Sequence, residues 1–492
     1  MREASPFLLA SQEYFEPAWH GELRPEFKRI ATELLPGDWQ ISPHELWLTG
    51  HPGVSWSFPV QGFKIHLSAT PRNAADILRC AIPCCVRARA AFKFVADNRL
   101  LSYVNSKRWG RGSSGKFITI YPPNSDSFGT LIEELGSETA GFVGPYILSD
   151  RRYRDSHVVF YRYGGFRQTQ SLNVDGTMTP IIFDPNGDPL PDERLPYFKV
   201  PPWVTDPLGD WPGNDAPNST LLNGRFKVEK VLSFSNAGGV YAGRDVVTAA
   251  SIVLKEARPL TSCWPRQGEL FDSVAALERE FQLLERLRDL DCVPTPIALF
   301  TEWEHSFLAE EFVDGTRLGD VRLTDGLSLV EILSDQQRLT EFQQFFSAIA
   351  VGLIDAVASI HEQGVILGDV SPNNILFHSI GPKIAIIDLE SAFASDEGEE
   401  VERYVSGLYT GGFRRAEAAR SGRMTPEDDY RAVGMVLYSL LLPVQSLFEF
   451  EPTAVNVLLE RLMQLGLRAP MAQIIQYLLH GEVLQARRVA DQ

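Results

Sequence analysis

The sequence predicts an α+β chain of two successive domains, and three observations predict it. Its 492 residues exceed one ordinary domain. Ahead of residue 185, short runs rich in β-branched and aromatic residues alternate with a helical pattern; beyond the proline-rich segment that follows, a strand-rich piece gives way to a helix-rich one. With 44% hydrophobic and 22% charged residues, each part has the apolar side chains for a normal core.

The N-terminus, "MREASPFLLASQEYFEPAWHGELR", carries acids and prolines in place of a continuous apolar run, so no signal peptide is expected. "GFKIHLSAT", "AFKFVADN", "KFITIYP" and "HVVFYRYGGF" read as strands, and "PRNAADILRCAIP" as a helix between them. From 185 to 217, prolines set among glycines and acids can sustain neither a helix nor a central strand, and an extended connector is expected. "GRFKVEKVLSFSNAGGVYAGRDVVTAASIVLKEARP" then reads as three strands with glycine turns, and "VAALEREFQLLERLRDL" as an amphipathic helix. From about residue 325 the pattern is helical. Its most apolar run, "FFSAIAVGLIDAVASIH", is broken by Asp355 and reads as too short to span a bilayer.

A net charge of −17 opposes binding to nucleic acid or an anionic membrane, so neither is expected as a partner, and phosphate chemistry must sit in local basic clusters. The five cysteines have no zinc-like spacing, and Cys84 and Cys85 lie in an apolar helical stretch as buried free thiols. A cytoplasmic protein is the expectation.

The second domain carries the parts that phosphoryl transfer needs, in the order of a kinase. In "VILGDVSPNNILF", Asp369 is the carboxylate that orients and deprotonates a substrate hydroxyl, and Asn374 is a metal ligand. In "KIAIIDLES", Asp388 ends an apolar strand where a Mg²⁺-chelating aspartate belongs. Lys255 in "SIVLKEARP" is the phosphate-binding lysine, with Glu280 on the next helix as its ion-pair partner. "SFSNAGGVYAG" stands in for the glycine-rich lid, with Ser233 and Ser235 replacing two glycines and Gly238 keeping the third. Asp429 in "DDYRAVGMVLYSLL" matches an aspartate that braces the catalytic loop, and His361 reads as structural. ATP or another NTP and Mg²⁺ are the expected cofactors. Gly368, where many kinases have arginine, cannot pair with an activation-loop phosphate, which predicts a constitutively competent enzyme. Ser371 replaces the lysine that many protein kinases place near the γ-phosphate, so that charge must come from elsewhere.

The first domain concentrates cations in its strands. Lys64 and His66 share a strand face, because side chains repeat every two residues. If Arg111, Lys116, Arg151, Arg152 and Arg162 converge on them, the result is a phosphate clamp. Crowded cations depress a lysine, so Lys93 is the candidate base. The set suits β-elimination from a phosphorylated serine or threonine: Lys93 removes the α-proton, Lys64 and an arginine stabilise enolate-like charge, and protonated His66 serves the departing phosphate. Taken singly, His66 also reads as a core histidine and "RRYR" at 151–154 as a solvated turn.

"FKIH", "FKF" and "RGSSGKFITIY" resemble the motifs of bacterial phosphothreonine lyases. The longer run "GFKIHLSAT…RGSSGKFITIYP…GPYILSDRR…RYGGFR", followed by "GDVSPNNILF", resembles class III lanthipeptide synthetases over nearly the whole chain. The resemblance implies a lyase site of Lys64, His66, Lys93, Arg111, Tyr121 and one or more of Arg151, Arg152 and Arg162. It implies a phosphothreonine-lyase-like α+β domain over 1–205, the end of a proline-rich linker over 206–220, and a two-lobed protein-kinase-like domain over 221–492. It also implies a precursor peptide held through a leader segment. No cyclase pattern follows the kinase helices, so either the chain is truncated or a separate cyclase is a partner. Two other readings stay open: a pseudokinase scaffold that binds phosphopeptides, and an effector-type lyase acting on phosphoproteins.

Overall fold

The computed structural model describes residues 23–492 except 54–58, 108, 168, 210–220, 267–268, 321–328, 379–382, 406–407, 415–420, 444–450 and 452. Most of the segment read as the linker end, 206–220, therefore lies outside the described residues.

The first domain is a seven-stranded antiparallel sheet with helices on one face. Its strands are β1 (Trp39–His44), β2 (Trp47–Pro52), β3 (Gln61–Leu67), β4 (Ala91–Val95), β5 (Ile118–Tyr121), β6 (Arg151–Arg152) and β7 (Val159–Gly165), in the spatial order β1-β2-β4-β5-β3-β7-β6. Strand alternation divides the side chains. Ile65, Leu67, Phe92, Phe94, Ile118 and Ile120 turn to the core beneath helices α1 (Glu26–Leu34), α2 (Ala74–Arg87) and α4 (Ser125–Glu138). Ile77, Leu78 and Ile82 of α2 are fully buried there, each contributing roughly 1.5–3 kcal/mol. The alternate residues Lys64, His66, Lys93, Thr119, Tyr121 and Arg162 occupy the opposite face. The pairings Lys93↔Thr119, His66↔Thr119 and Lys64↔Arg162 set them side by side. Asp97 caps the short helix α3 (Asn98–Val104) through the Leu100 N–H.

Helix α2 runs through Pro83 to Arg87, as the apolar helical stretch around Cys84 and Cys85 predicts, because its buried face outweighs the missing hydrogen bond. One expectation changes. The connector does not begin at 185. β8 (Gln170–Leu172), β9 (Met178–Phe183) and β10 (Pro189–Pro191) form a small sheet, and Asp192 and Arg194 lead back to the main one. Proline is tolerated in β10 because that strand is an edge.

The second domain opens with a five-stranded sheet of β11 (Phe226–Phe234), β12 (Gly239–Asp245), β13 (Ser251–Ala257), β16 (Pro296–Glu302) and β17 (His305–Glu311), in the order β11-β12-β13-β17-β16. The ribbon β14 (Trp264–Arg266) and β15 (Glu269–Phe271) leads into α5 (Ser273–Arg286), which is capped by Asp272. A helical lobe follows, built around Gln336–Glu362 and Pro426–Leu441. Contrary to the expectation, Gln336–Glu362 is by length and composition a helix that could span a membrane. In this fold Phe342, Phe346, Ile349, Leu353 and Val357 bury its apolar face in the lobe's core.

The domains are bonded to each other. Arg258, 1% exposed, donates to the Asn236 carbonyl at 2.8 Å and to the Tyr146 carbonyl across the boundary. Arg152 makes a bidentate pair with Glu304, both contacts 2.6 Å.

Candidate functional site

The polar face of the first sheet becomes a small pocket lined by Lys64, His66, Lys93, Lys116, Tyr121, Arg162 and Arg194, with Trp47, Ser113 and Thr119. Arg162 is held by Asp192 and opposes Lys64 across β3 and β7. Lys116 donates to the Gly112 carbonyl and the Ser149 hydroxyl, both at 3.0 Å. The Lys93 ammonium lies 4.4 Å from the centre of the Trp47 ring.

Burial sets the protonation states, with like charges adding to it. Burial, then Arg194, lowers Lys93 to about 8. Burial, then Arg162, lowers Lys64 well below the usual lysine range. Lys116 falls to about 8 by burial, although Asp150 opposes the fall. His66 Nδ1–H donates to Asp150 at 2.5 Å, yet burial outweighs that carboxylate and lowers the ring to about 3. Burial thus favours the neutral ring over the protonated His66 expected from the sequence, while the Asp150 carboxylate favours the charged one. Burial works to raise Asp150 itself, but His66 and Lys116 outweigh it and keep the carboxylate ionised.

The structure brings Lys64, His66, Lys93, Lys116, Tyr121 and Arg162 together, and leaves Arg111, Arg151 and Arg152 elsewhere. Arg151 pairs with Asp206 at 2.8 Å and lies over Phe198, Arg152 is committed to Glu304, and Arg111 lies 4.7 Å from the Phe234 ring centre in the second domain. Sequence reasoning missed Asp150 and Arg194. Asp150 left no signal beyond lying beside two arginines, and Arg194 sits in the segment read as connector.

A second cleft of about 430 Å³ lies in the other domain, lined in part by Ser233, Ser235, Gly238, Lys255, Glu280 and Asp388. A Cβ at 238 would collide with the Glu256 carbonyl, so only glycine lets the lid approach β13. Lys255 pairs with Glu280 at 2.6 Å and Glu310 at 3.2 Å; burial acts to lower it, and these carboxylates outweigh burial and keep it charged. Asp369 accepts from the Thr410 N–H at 2.7 Å and from Asn374 Nδ2 at 3.3 Å. Burial raises its carboxyl, against the Thr410 hydrogen bonds. The Ile387 N–H donates to the Asn374 carbonyl at 2.8 Å, which sets Asn374 beside Asp388. Among the described residues no cluster of His, Cys, Asp or Glu forms a metal cage. Asn374 and Asp388 fit Mg²⁺ in the way it is held with substrate phosphates, through few protein oxygens.

Asp429 accepts from the Leu367 and Gly368 N–H groups at 2.7 and 2.8 Å, and from His361 Nε2 at 2.8 Å, so it braces the loop that carries Asp369. Gly368 has φ +75°, and a Cβ there would meet Ser391 O at 2.7 Å and the end of Met424. Backbone geometry is thus a reason for this glycine independent of any activation-loop phosphate. Gly368→Ala is expected to cost about 1–3 kcal/mol and to slow phosphoryl transfer, read by thermal unfolding and by transfer to a peptide. Unchanged behaviour in both would refute this account of the loop.

Residues 27–220 match the family described as RamC, N-terminal domain, and residues 226–467 match the protein kinase domain. The chain is 37% identical over 75% of its length to a probable SapB synthase of Streptomyces coelicolor, covering 39% of that protein. The chain therefore joins a RamC N-terminal domain to a protein kinase domain and spans less than half the length of the SapB synthase it resembles. The chain is also 26% identical to the serine/threonine-protein kinase pkn2 of Myxococcus xanthus, over 46% of the chain and 25% of that protein. It is likewise 26% identical to serine/threonine-protein kinase B of Synechocystis, over 45% of the chain and 38% of that protein. The first cleft thus lies in the RamC N-terminal domain and the second in the protein kinase domain.

Proposed function

We propose that the chain is a bifunctional peptide dehydratase: the kinase domain phosphorylates serine or threonine of a ribosomal precursor peptide, and the RamC N-terminal domain eliminates the phosphate. One observation carries this reading: a cation-lined pocket on the same chain as a cleft that gathers Lys255, Glu280 and Asp388. ATP or another NTP with Mg²⁺ is the phosphoryl source, and Lys255, Ser233, Ser235 and Gly238 line the cleft that would receive it. Asn374 and Asp388 would hold the metal, which supplies charge neutralisation on the phosphates. Asp369 orients the peptide hydroxyl and takes its proton.

In the elimination, neutral Lys93 removes the Cα proton. The Lys93 lone pair takes the proton, the Cα–H bonding pair forms the Cα=Cβ bond as the Cβ–O bond breaks, and phosphate leaves with that bond's electrons. Lys64 neutralises the enolate-like carbonyl oxygen. Arg162, Arg194 and Lys116 take the phosphate oxygens. A phosphate dianion offsets the crowding of cations, so its arrival favours protonation of Lys64, Lys116 and His66. His66, steadied by Asp150, then hands a proton to the departing group.

Phosphate-analogue binding at pH 7 is therefore expected to take up protons, because the dianion strengthens proton binding by groups that burial has weakened. Calorimetry in buffers of different ionisation heat measures this, and proton release would refute the account. The kcat/KM for elimination should climb with pH toward a limb near 8, as Lys93 loses its proton.

The function itself is tested by mass spectrometry of a Ser/Thr peptide bearing its leader, incubated with ATP and Mg²⁺. The expected product has lost one water per modified residue. Phosphopeptide that persists would defeat the lyase reading, and unmodified peptide the kinase reading. The leader partner, a separate cyclase and a cytoplasmic setting belong to this proposal; the free state of all five cysteines is in keeping with that setting.

A further inference from the structure

The kinase cleft contains a cation that does not come from the kinase domain. Lys107, in the loop after α3, lines the same cleft as Lys255, Glu280 and Asp388, and these two lysines are the only cations in its lining among the described residues. Its ammonium pairs with Glu390, two residues beyond Asp388. Lys107 is also near enough to Asp369 for its charge to oppose the rise of that carboxyl. Ser371, by contrast, is 1% exposed and its hydroxyl has no partner, so the catalytic loop itself brings no charge at that position.

The loop is held in place from the kinase side. Asn236, at the tip of the phosphate lid and fully buried, donates to the Val104 and Ser106 carbonyls at 3.1 and 3.0 Å. Ser262 N–H donates to the Asn105 carbonyl at 2.9 Å, and Lys107 N–H donates to the Ser262 hydroxyl at 3.0 Å. Backbone and lid are therefore fixed together while the Lys107 side chain, 34% exposed, extends into the cleft. A lysine whose main chain is held and whose partly exposed ammonium pairs with a carboxylate suits a group that exchanges that carboxylate for a phosphate.

The geometry points to Lys107 as the γ-phosphate cation of the kinase, donated by the neighbouring RamC N-terminal domain. This rests on the kinase reading of the second domain. As the peptide hydroxyl oxygen bonds to the γ-phosphorus, its proton passes to Asp369. The bond from that phosphorus to the β–γ bridging oxygen breaks, and its electrons leave with ADP. Lys107 leaves Glu390 and neutralises charge on the transferring group, the task that lysine two residues after the catalytic aspartate performs in many protein kinases. The kinase domain alone would then be an incomplete enzyme, and the domain boundary a part of its active site.

The test uses the full chain with Lys107→Ala and Lys107→Arg. ATP and ADP affinities are measured by calorimetry with Mg²⁺, phosphorylation by peptide mass, and elimination on a synthetic phosphopeptide. Lys107→Ala is expected to weaken ATP by roughly tenfold while leaving ADP affinity unchanged, and to slow phosphorylation by ~10²-fold. Elimination should persist, and Lys107→Arg should recover much of the phosphorylation. Equal loss of ATP and ADP affinity, or concurrent loss of elimination, would assign Lys107 to interface structure and overturn the inference; so would wild-type phosphorylation by Lys107→Ala. A wild-type chain that prefers ATP but phosphorylates nothing would sink the kinase reading, and the ATP-over-ADP comparison would still decide Lys107.

Discussion

Lys93→Ala is expected to yield peptide that is phosphorylated but not dehydrated, with elimination slowed by ~10²–10⁴-fold, the usual contribution of a positioned general base. The size of the effect follows from the pocket. Lys93 is the lysine that combines a value near 8, set by burial and Arg194 against Glu45, with a position on β4 against Trp47, where no hydrogen bond or ion pair among the described residues holds it. Lys116 falls to a similar value but donates to Gly112 and Ser149, which spends its ammonium on structure. Lys64 faces Arg162 and is the better placed to meet developing negative charge. His66→Ala should also accumulate phosphopeptide, and additionally leave Asp150 buried without its nearest partner. Mass spectrometry separates the cases. If both variants dehydrate peptide at the wild-type rate, the elimination chemistry belongs to other residues.

The parts of this protein that were legible in its sequence are those whose geometry is set by local periodicity. Period-two alternation puts Lys64 and His66 on one face of β3, and antiparallel pairing carries Lys93, Tyr121 and Arg162 to the same face. The kinase constellation was legible because its spacings are fixed by one strand and one loop. What the sequence did not disclose comes from loops whose direction only tertiary packing decides. Asp150 reaches His66 while the next two residues, on the edge strand β6, turn their guanidiniums to Asp206 and Glu304. Arg194 lies in a segment whose prolines argued for a connector, yet β9 and β10 fold that segment back over the sheet. Arg111 and Lys107 sit in one cation-rich stretch with Lys116, and the stretch divides between two sites because its first part is bonded to the phosphate lid. A charge cluster in sequence was therefore not a charge cluster in space.

The second large effect concerns Asp369. Asp369→Asn keeps the shape of the side chain but removes the negative charge that accepts the substrate proton, so phosphorylation should fall by ~10²–10⁴-fold. Elimination from a synthetic phosphopeptide should be untouched, because the two clefts share no lining residue among the described residues. Lys107 lies in one cleft and Ser113 in the other, so six residues of chain limit the separation of these two walls to ~20 Å. A peptide anchored by its leader can visit both sites on one molecule, yet the phosphorylated side chain must leave the first to enter the second. Mixing Asp369→Asn with Lys93→Ala is therefore expected to restore dehydration, at a rate that rises with total enzyme concentration because the phosphopeptide must change molecules. Wild-type dehydration at limiting peptide should keep its proportion of phosphorylated intermediate as enzyme is diluted. No recovery on mixing, with each variant active in its remaining half-reaction, would mean that the phosphopeptide never leaves the molecule that made it.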